Sequence, residues 1–210
     1  RLAVDGNYKP MQYHLMIKRL RVCVLAALCV ILVACGGGDD TTSWEHLEMA
    51  RAMLDKGEHN AAIIELKNAL QKDVNNAQAR ILLGQAYFAT GDYESAEKEL
   101  SRSLEKGVDM AAVLPTLAQT LLSLGELDKL EQLPVDGLDS EDRSLLQAAK
   151  GLGRLFKADL PGAQEIISQS MENEPRSPYA EVASARLAMA QQDYKGARAQ
   201  LKAIFKEHPQ

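Results

Sequence analysis

Small and large apolar residues recur along most of the chain with a fixed period. Aligning the segment that starts at Asn60 with the one that starts at Glu94 gives an offset of 34 residues. The eighth and twentieth positions of each period are almost always Ala or Gly, as two antiparallel helices require where their backbones approach most closely. These positions hold Ala50, Gly84, Ala118, Gly151 and Ala185, and then Ala62, Ala96, Leu130, Ala163 and Ala197. The pattern predicts five helix-turn-helix units at residues 43–76, 77–110, 111–143, 144–177 and 178–210.

The turns inside these units also repeat. Gly57, Gly91 and Gly125 stand at the predicted end of a first helix, where glycine adopts the left-handed conformation at little cost. Ala158 and Gln192 replace glycine in the last two units, so we expect those turns to be more strained or differently closed. Large apolar residues recur later in the second helices, at Leu66 and Leu70, Leu100 and Leu104, Ile167 and Met171, and Leu201 and Phe205.

The third unit departs from the pattern. Pro134 occupies the place of the buried leucine in its second helix, and a proline there removes a backbone donor and clashes with the preceding turn. We therefore expect this helix to end near Leu133 and a loop to follow. Ser140 is predicted to cap the next helix. Two interpretations of Pro134 remain open, namely decay of the repeat and a hinge or ledge in a binding groove.

The residues Leu83-Gly84-Gln85-Ala86-Tyr87 match the Leu-Gly-x-x-Tyr pattern of the tetratricopeptide first helix. The periodic part of the chain, residues 43–210, resembles this family throughout. The resemblance implies an all-α fold, a right-handed α-solenoid of about five tetratricopeptide helix-turn-helix repeats. Because the array reaches Gln210 without a polar capping helix, we expect further repeats or a partner beyond that residue.

The start of the chain carries a targeting pattern. Residues 16–21 hold a positive cluster, and the apolar run at residues 22–34 is too short to span about 30 Å of hydrocarbon but suits a signal peptide. The run ends in Leu32-Val33-Ala34-Cys35, which resembles the bacterial lipobox. We expect residues 1–15 to be upstream translation, 16–34 a lipoprotein signal peptide, Cys35 the lipidated residue and 35–43 a flexible tether. The alternative is a secretory signal that ends in a cysteine by chance.

The lipobox predicts attachment to the bacterial cell envelope on the periplasmic side. Two or three acyl chains anchor a protein durably, whereas a single chain is marginal. In bacterial lipoproteins an aspartate after the cysteine often retains the protein in the inner membrane, and Gly36 stands there instead. We therefore expect the outer membrane rather than the inner one.

Charge and candidate chemistry narrow the function. From Cys35 onward the chain holds 19 basic and 28 acidic residues, the opposite of what a nucleic-acid binder needs. Ser95 and Lys98 have the spacing of Ser/Lys acylation chemistry but lack its accompanying motifs. His46, His59 and His208 stand in separate repeats without paired spacing, so no metal site is predicted. The sequence predicts a protein that is not an enzyme and needs no cofactor.

The inner surface of the predicted solenoid is the candidate binding site, because the first helices line it in this fold. Aromatic residues and arginines at such positions often dominate interface energetics. The alternative for each of these residues is a core or ordinary surface position. The candidate groove residues are Trp44, Leu47, Arg51, Ile81, Gln85, Phe88, Gln119, Leu122, Leu152, Phe156, Tyr179, Val182, Arg186 and Met189.

Three segments carry a closer resemblance. Residues 61–73, 75–87 and 91–100, together with the lipobox, are similar to the PEP-CTERM system tetratricopeptide lipoproteins of the PrsT type. That resemblance implies a scaffold in exopolysaccharide export or exosortase-linked envelope assembly, with another envelope protein or peptide as its partner and no nucleic acid. Alternatives are a lipoprotein accessory of outer-membrane protein assembly or of a pilus or secretion system, and, further off, a cell-wall enzyme accessory.

Overall fold

The computed structural model describes residues 41–207. The predicted signal peptide, Cys35 and most of the tether lie outside the described residues. The described helices belong to one compact unit that begins at Thr42. Within it are ten α-helices and one 3₁₀ turn, without a strand: α1 (Ser43–Leu54), α2 (His59–Lys72), α3 (Ala77–Ala89), α4 (Tyr93–Leu104), the 3₁₀ turn (Met110–Ala112), α5 (Leu114–Leu124), α6 (Leu127–Gln132), α7 (Ser140–Phe156), α8 (Leu160–Asn173), α9 (Pro178–Ala190) and α10 (Tyr194–Glu207).

The helices pack as consecutive pairs. Within each repeat the first helix packs on the second, and the second helix then packs on the first helix of the next repeat. The first helices α5, α7 and α9 also contact one another in sequence. Small residues make this possible, since Ala62, Ala96 and Ala163 at the twentieth position are fully buried. The prediction of an all-α solenoid of tetratricopeptide type is confirmed.

All five turns between paired helices close in the same way. The backbone N–H of the residue after the turn donates to a carbonyl five residues back, for example from Asp92 to Tyr87 and from Asp159 to Arg154. Ala158 and Gln192 adopt positive φ angles of 60° and 67°, the conformation that Gly125 has at 72°. Of the two expected alternatives, these turns are the more strained and are not closed differently. The cost for L residues in the left-handed region is about 1–2 kcal/mol, so both turns hold backbone strain.

The third repeat has a short second helix. Helix α6 ends at Gln132, and Leu133 before Pro134 has an extended backbone with ψ of 133°. This confirms the predicted break. The cap of the next helix was predicted wrongly: Asp139 caps α7 by accepting from the backbone N–H of Asp142 at 2.9 Å, and Ser140 is the first helical residue. An aspartate at this place also complements the positive end of the helix dipole.

Polar pairs tie the two helices of a repeat together. The buried ring of His46 lies 2.7 Å from the Glu65 carboxylate. Arg80 holds the corresponding position in the next repeat, and its guanidinium donates to Glu99 at 2.6 Å. Gln147 takes the same place in the fourth repeat and bonds to Gln169. These residues lie inside the helix pair, so the fourth position of the first helix serves the structure in these three repeats.

Candidate functional site

A groove of about 470 Å³ crosses the face formed by the first helices. Helices α3, α5, α7 and α9 each contribute side chains to it, so four consecutive repeats build one surface. Six of the residues predicted from the sequence lie together here, and five further residues complete the lining. The predicted residues are Phe88, Gln119, Leu122, Leu152, Tyr179 and Val182, and the others are Ser123, Leu145, Ala148, Ala149 and Pro178.

The groove is apolar and uncharged. None of the residues that line it is acidic or basic, and its two polar side chains bond within their own helix. Gln119 donates to the carbonyl of Pro115 at 3.3 Å, and Ser123 donates to the carbonyl of Gln119 at 2.8 Å. Tyr179 is 45% exposed. The groove therefore suits apolar side chains of a ligand and contains no group placed for acid–base or nucleophilic chemistry.

Two predicted groove residues are buried in the core instead. Leu47 is 3% exposed and Ile81 is 5% exposed, and both pack within helix pairs. The fifth position of the first helix faces the inside of the pair in the first two repeats. This fifth position lines the groove only in the last two repeats, where it holds Ala148 and Val182. The prediction that Leu47 and Ile81 line an accessible surface is wrong for this reason.

The remaining predicted residues lie elsewhere on the surface. Arg51 and Gln85 line a separate cleft of about 580 Å³ between α1 and α3, together with the acidic side chains of Glu48 and Asp55. Neither this cleft nor the apolar groove includes the other four residues, which are exposed. These are Trp44, Phe156, Arg186 and Met189.

Of the four residues that α7 contributes to the groove, sequence reasoning identified only Leu152 and missed Leu145, Ala148 and Ala149. This helix begins at Ser140, four residues before Ser144, the start of the fourth repeat by counting. Leu145 holds the second position of its repeat, the same position as Trp44 and Tyr179. Because Trp44 and Tyr179 are predicted to line the groove, the same position in the fourth repeat identifies Leu145 as a further candidate.

A second cleft, of about 330 Å³, lies beside the shortened helix α6. The buried Lys150 ammonium donates to the carbonyls of Glu131 and Leu133 at 2.9 and 2.6 Å, which satisfies the acceptors that Pro134 leaves without helical partners. Burial disfavours its charged form and lowers the pKa of Lys150, and the Glu131 carboxylate partly opposes that shift. The neighbouring Arg154 bonds to Glu131 at 2.6 Å. These cations are engaged in the fold and do not form an open anion site.

The described residues offer no other built chemistry. Between residues 41 and 207 no group of three His, Cys, Asp or Glu side chains is placed to hold a metal ion. Over the same range no helix is both long enough and apolar enough to cross a membrane. Lys98 is exposed on the surface of α4, and the backbone of Ser95 serves in the helix cap that Asp92 forms. The apolar groove is therefore the candidate functional site.

Comparison with known proteins agrees with this architecture. Residues 53–119 match the family model described as tetratricopeptide repeat. No curated protein sequence matches the chain at a significant level.

Solved structures extend the likeness beyond that segment. PilF of Pseudomonas aeruginosa is similar with a TM-score of 0.63 and 21% identity, over 80% of this chain and 77% of that one. MamA of Desulfovibrio magneticus RS-1 has a TM-score of 0.62 and 16% identity, over 80% and 95%. YrrB, described as a TPR protein with an unusual peptide-binding site, has a TM-score of 0.54 and 16% identity, over 79% and 86%. Residues 53–119 are thus similar in sequence to tetratricopeptide repeats, and the described part of the chain shares its fold with these structures.

Proposed function

We propose that this chain is a lipid-anchored periplasmic scaffold that binds an apolar segment of another envelope protein in the groove of its first helices. The observation that carries the proposal is the uncharged groove of about 470 Å³ built by four consecutive repeats. A surface of this kind gains affinity from apolar burial, at about 25 cal/mol per Å² removed from water. Its ligand is an extended or helical peptide segment with aliphatic or aromatic side chains and no charge at its centre.

The absence of charge in the groove selects against some ligands. A charged terminus placed there would lose its hydration without gaining an ionic partner, which is costly. The groove is therefore unsuited to capture of a terminal carboxylate. The description of YrrB as having a peptide-binding site supports a peptide ligand for a fold of this kind. Tetratricopeptide arrays generally act as scaffolds, and we propose that this one performs no reaction of its own.

The proposed location and process rest on sequence patterns. The lipobox-like residues ending at Cys35 support attachment to the envelope, with the outer membrane favoured by Gly36. The similarity of residues 61–100 to the PrsT-type lipoproteins supports a role in exopolysaccharide export or exosortase-linked assembly. In this role the chain holds one envelope component near the membrane while the lipid fixes its position.

Crosslinking in cells tests the groove. A photoreactive phenylalanine analogue is placed at Tyr179, which lines the groove and is partly exposed. The expected result is a discrete adduct with one envelope protein, and Leu152→Glu in the same chain should abolish it by placing a charge in the apolar lining. The matched control is the same analogue at Lys98, on the opposite surface of the second helices. Equal labelling from Lys98 would contradict the proposal.

Metabolic labelling with palmitate tests the anchor separately. The chain should incorporate label, and Cys35→Ala should abolish incorporation and release the protein from the membrane fraction. Cys29→Ala is the matched control and should leave labelling unchanged, because that residue leaves with the signal peptide. Equal labelling of both variants, or none in the unmodified chain, would refute lipidation at Cys35. A turnover assay of the purified protein on envelope glycans should show no product, and sustained product formation would refute the scaffold role.

A further inference from the structure

The apolar groove adjoins a second opening on the same face, the cleft of about 580 Å³ between α1 and α3. Gln85 lines the cleft and Phe88 lines the groove, and residues three apart on a helix are neighbours on its surface. The cleft contains the carboxylates of Glu48 and Asp55 and one cation, the guanidinium of Arg51. A ligand that extends from the groove past Phe88 therefore reaches a surface with an excess of negative charge.

Asp55 is the carboxylate of this cleft that is left to pair with a ligand. Arg51 lies 3.5 Å from Glu48 on the same helix and partly offsets its charge. Among the described residues no cationic group lies within 4 Å of the Asp55 carboxylate, and the adjacent Lys56 does not line the cleft. Asp55 is also the C-cap of α1, so the carbonyl groups of the last turn add partial negative charge there. Both contributions favour a cation at this place.

Asp55 belongs to a row of exposed side chains that follows the first helices from one repeat to the next. It holds the thirteenth position of its repeat, and the same position in the next three repeats holds Ala89, Ser123 and Phe156, which are all exposed. The exposure of Asp55 is thus a property of this position and does not depend on its place in the first repeat. The row is acidic at Asp55, small in the middle and aromatic at Phe156, which is 65% exposed. The groove face therefore has two chemically different ends.

We propose that the segment bound in the groove carries a basic side chain at one end, which pairs with Asp55, and uncharged apolar side chains from there toward Phe156. The inference rests on the proposed function, because it concerns the ligand of the same groove. A Lys or Arg suits only this end, since inside the apolar groove its charge would lose hydration without gaining a partner. Three steps of about 10 Å separate α1 from α7 along the first helices. An extended segment covers that distance with about nine residues at about 3.3 Å each.

Peptide titrations of the purified full chain, followed by isothermal calorimetry, test the proposal. The probes are acetylated and amidated peptides that share an uncharged core of nine residues rich in Leu, Ala and Ser. One probe is neutral, two carry a Lys at the amino or the carboxyl end, and one carries the Lys at the centre. One of the two end-Lys probes should bind about two- to fivefold more tightly than the neutral probe, the gain from one exposed ion pair. The centre-Lys probe should bind more weakly than the neutral probe, because its charge enters the apolar groove.

Charge reversal at Asp55 separates a direct ion pair from a structural effect. Asp55→Lys should remove the advantage of the terminal Lys and transfer it to the same peptide with a terminal Glu. The matched control is Glu105→Lys, because Glu105 is the exposed C-cap of a second helix, α4. This control should leave the preference for the terminal Lys unchanged. Circular dichroism checks that both variants are folded.

The neutral probe separates failure of this inference from failure of the groove. Its binding should be lost in Leu152→Glu and unchanged in Asp55→Lys. If it binds in this way, the inference alone is overturned by equal affinity of the neutral and both end-Lys probes, or by a preference for the terminal Lys that survives Asp55→Lys. If no probe binds, the proposed function is overturned together with the inference.

Discussion

Two glycines of α7 that are two residues apart should respond to the same substitution in opposite directions. A Cβ added at Gly151 would overlap Cγ1 of Ile167 and lie 3.0 Å from its Cδ1 and 3.2 Å from Cγ2 of Ile166. The atoms that collide belong to α8, which is packed along α7 at this point. Either Ile167 leaves its rotamer or the two helices separate. At Gly153 the nearest atom is Cδ2 of Leu130 at 3.3 Å.

The magnitudes follow from two opposing terms. Alanine improves helix propensity over glycine by about 1 kcal/mol at either position. Overpacking of a filled core costs about 1–3 kcal/mol, and the overlap with a branch atom of Ile167 places Gly151→Ala in the upper part of that range. The net expectation is a loss of about 1–2 kcal/mol. Leu130 borders the cleft beside α6 and has room to shift, so Gly153→Ala should be neutral or gain up to about 1 kcal/mol.

Thermal and urea unfolding followed by far-ultraviolet circular dichroism measure both variants against the unmodified chain. In a chain of this size 1 kcal/mol moves Tm by about 2–4 °C, so the two variants should differ by several degrees. Because repeat arrays can unfold in parts, hydrogen exchange of α7 and α8 is measured alongside. Gly151→Ala at or above the stability of the unmodified chain, or a loss at Gly153 as large as that at Gly151, would refute the reasoning.

Three further predictions concern the turns and the buried polar groups. Ala158→Gly should raise the unfolding free energy by up to about 1 kcal/mol, because glycine adopts the positive φ of this residue without strain. Gly125→Ala should lower the unfolding free energy by about 1 kcal/mol for the same reason. The two changes in Tm must therefore have opposite signs. Arg80→Ala should cost about 2–3 kcal/mol, because the nearly buried Glu99 carboxylate then keeps only its longer pair with Arg102 at 3.5 Å. A double-mutant cycle with Glu99→Leu should recover most of that loss. Because the pKa of Lys150 is lowered in the folded state, the unfolded chain keeps this proton to a higher pH than the folded chain does. The unfolding free energy of the unmodified chain, measured relative to that of Lys150→Met, should therefore rise as the pH approaches 10.5. A difference that stays constant or falls with pH would contradict this prediction.

Local chemistry was sufficient to predict much of the fold. The recurrence of small residues at the eighth and twentieth positions predicts close helix pairs because only a small side chain permits that approach. Pro134 predicts the end of α6 because its ring and missing N–H act on the adjacent backbone alone. The start of the following helix, α7, is harder to predict, because Asp139 and Ser140 are both residue types that favour the N-cap position. The choice between them depends on how the loop joins α7.

The candidate site shows where sequence reasoning ends. Leu47 and Val182 occupy the same position of their repeats, yet the first is buried in the core and the second lines the groove. The repeat alone cannot separate them, because the exposure of one position depends on how far each helix is rotated against its neighbours.

The sequence by itself predicted the helix pairs and the break at Pro134, which the structure confirms, because each depends on residues close together in the chain. The envelope signal stays a prediction. Only the tertiary structure decided which side chains meet in the groove and that Lys150 donates to the carbonyls at the end of α6. These features are set by contacts between helices from different repeats. Such contacts depend on the volumes and rotations of several elements at once, which no local pattern specifies.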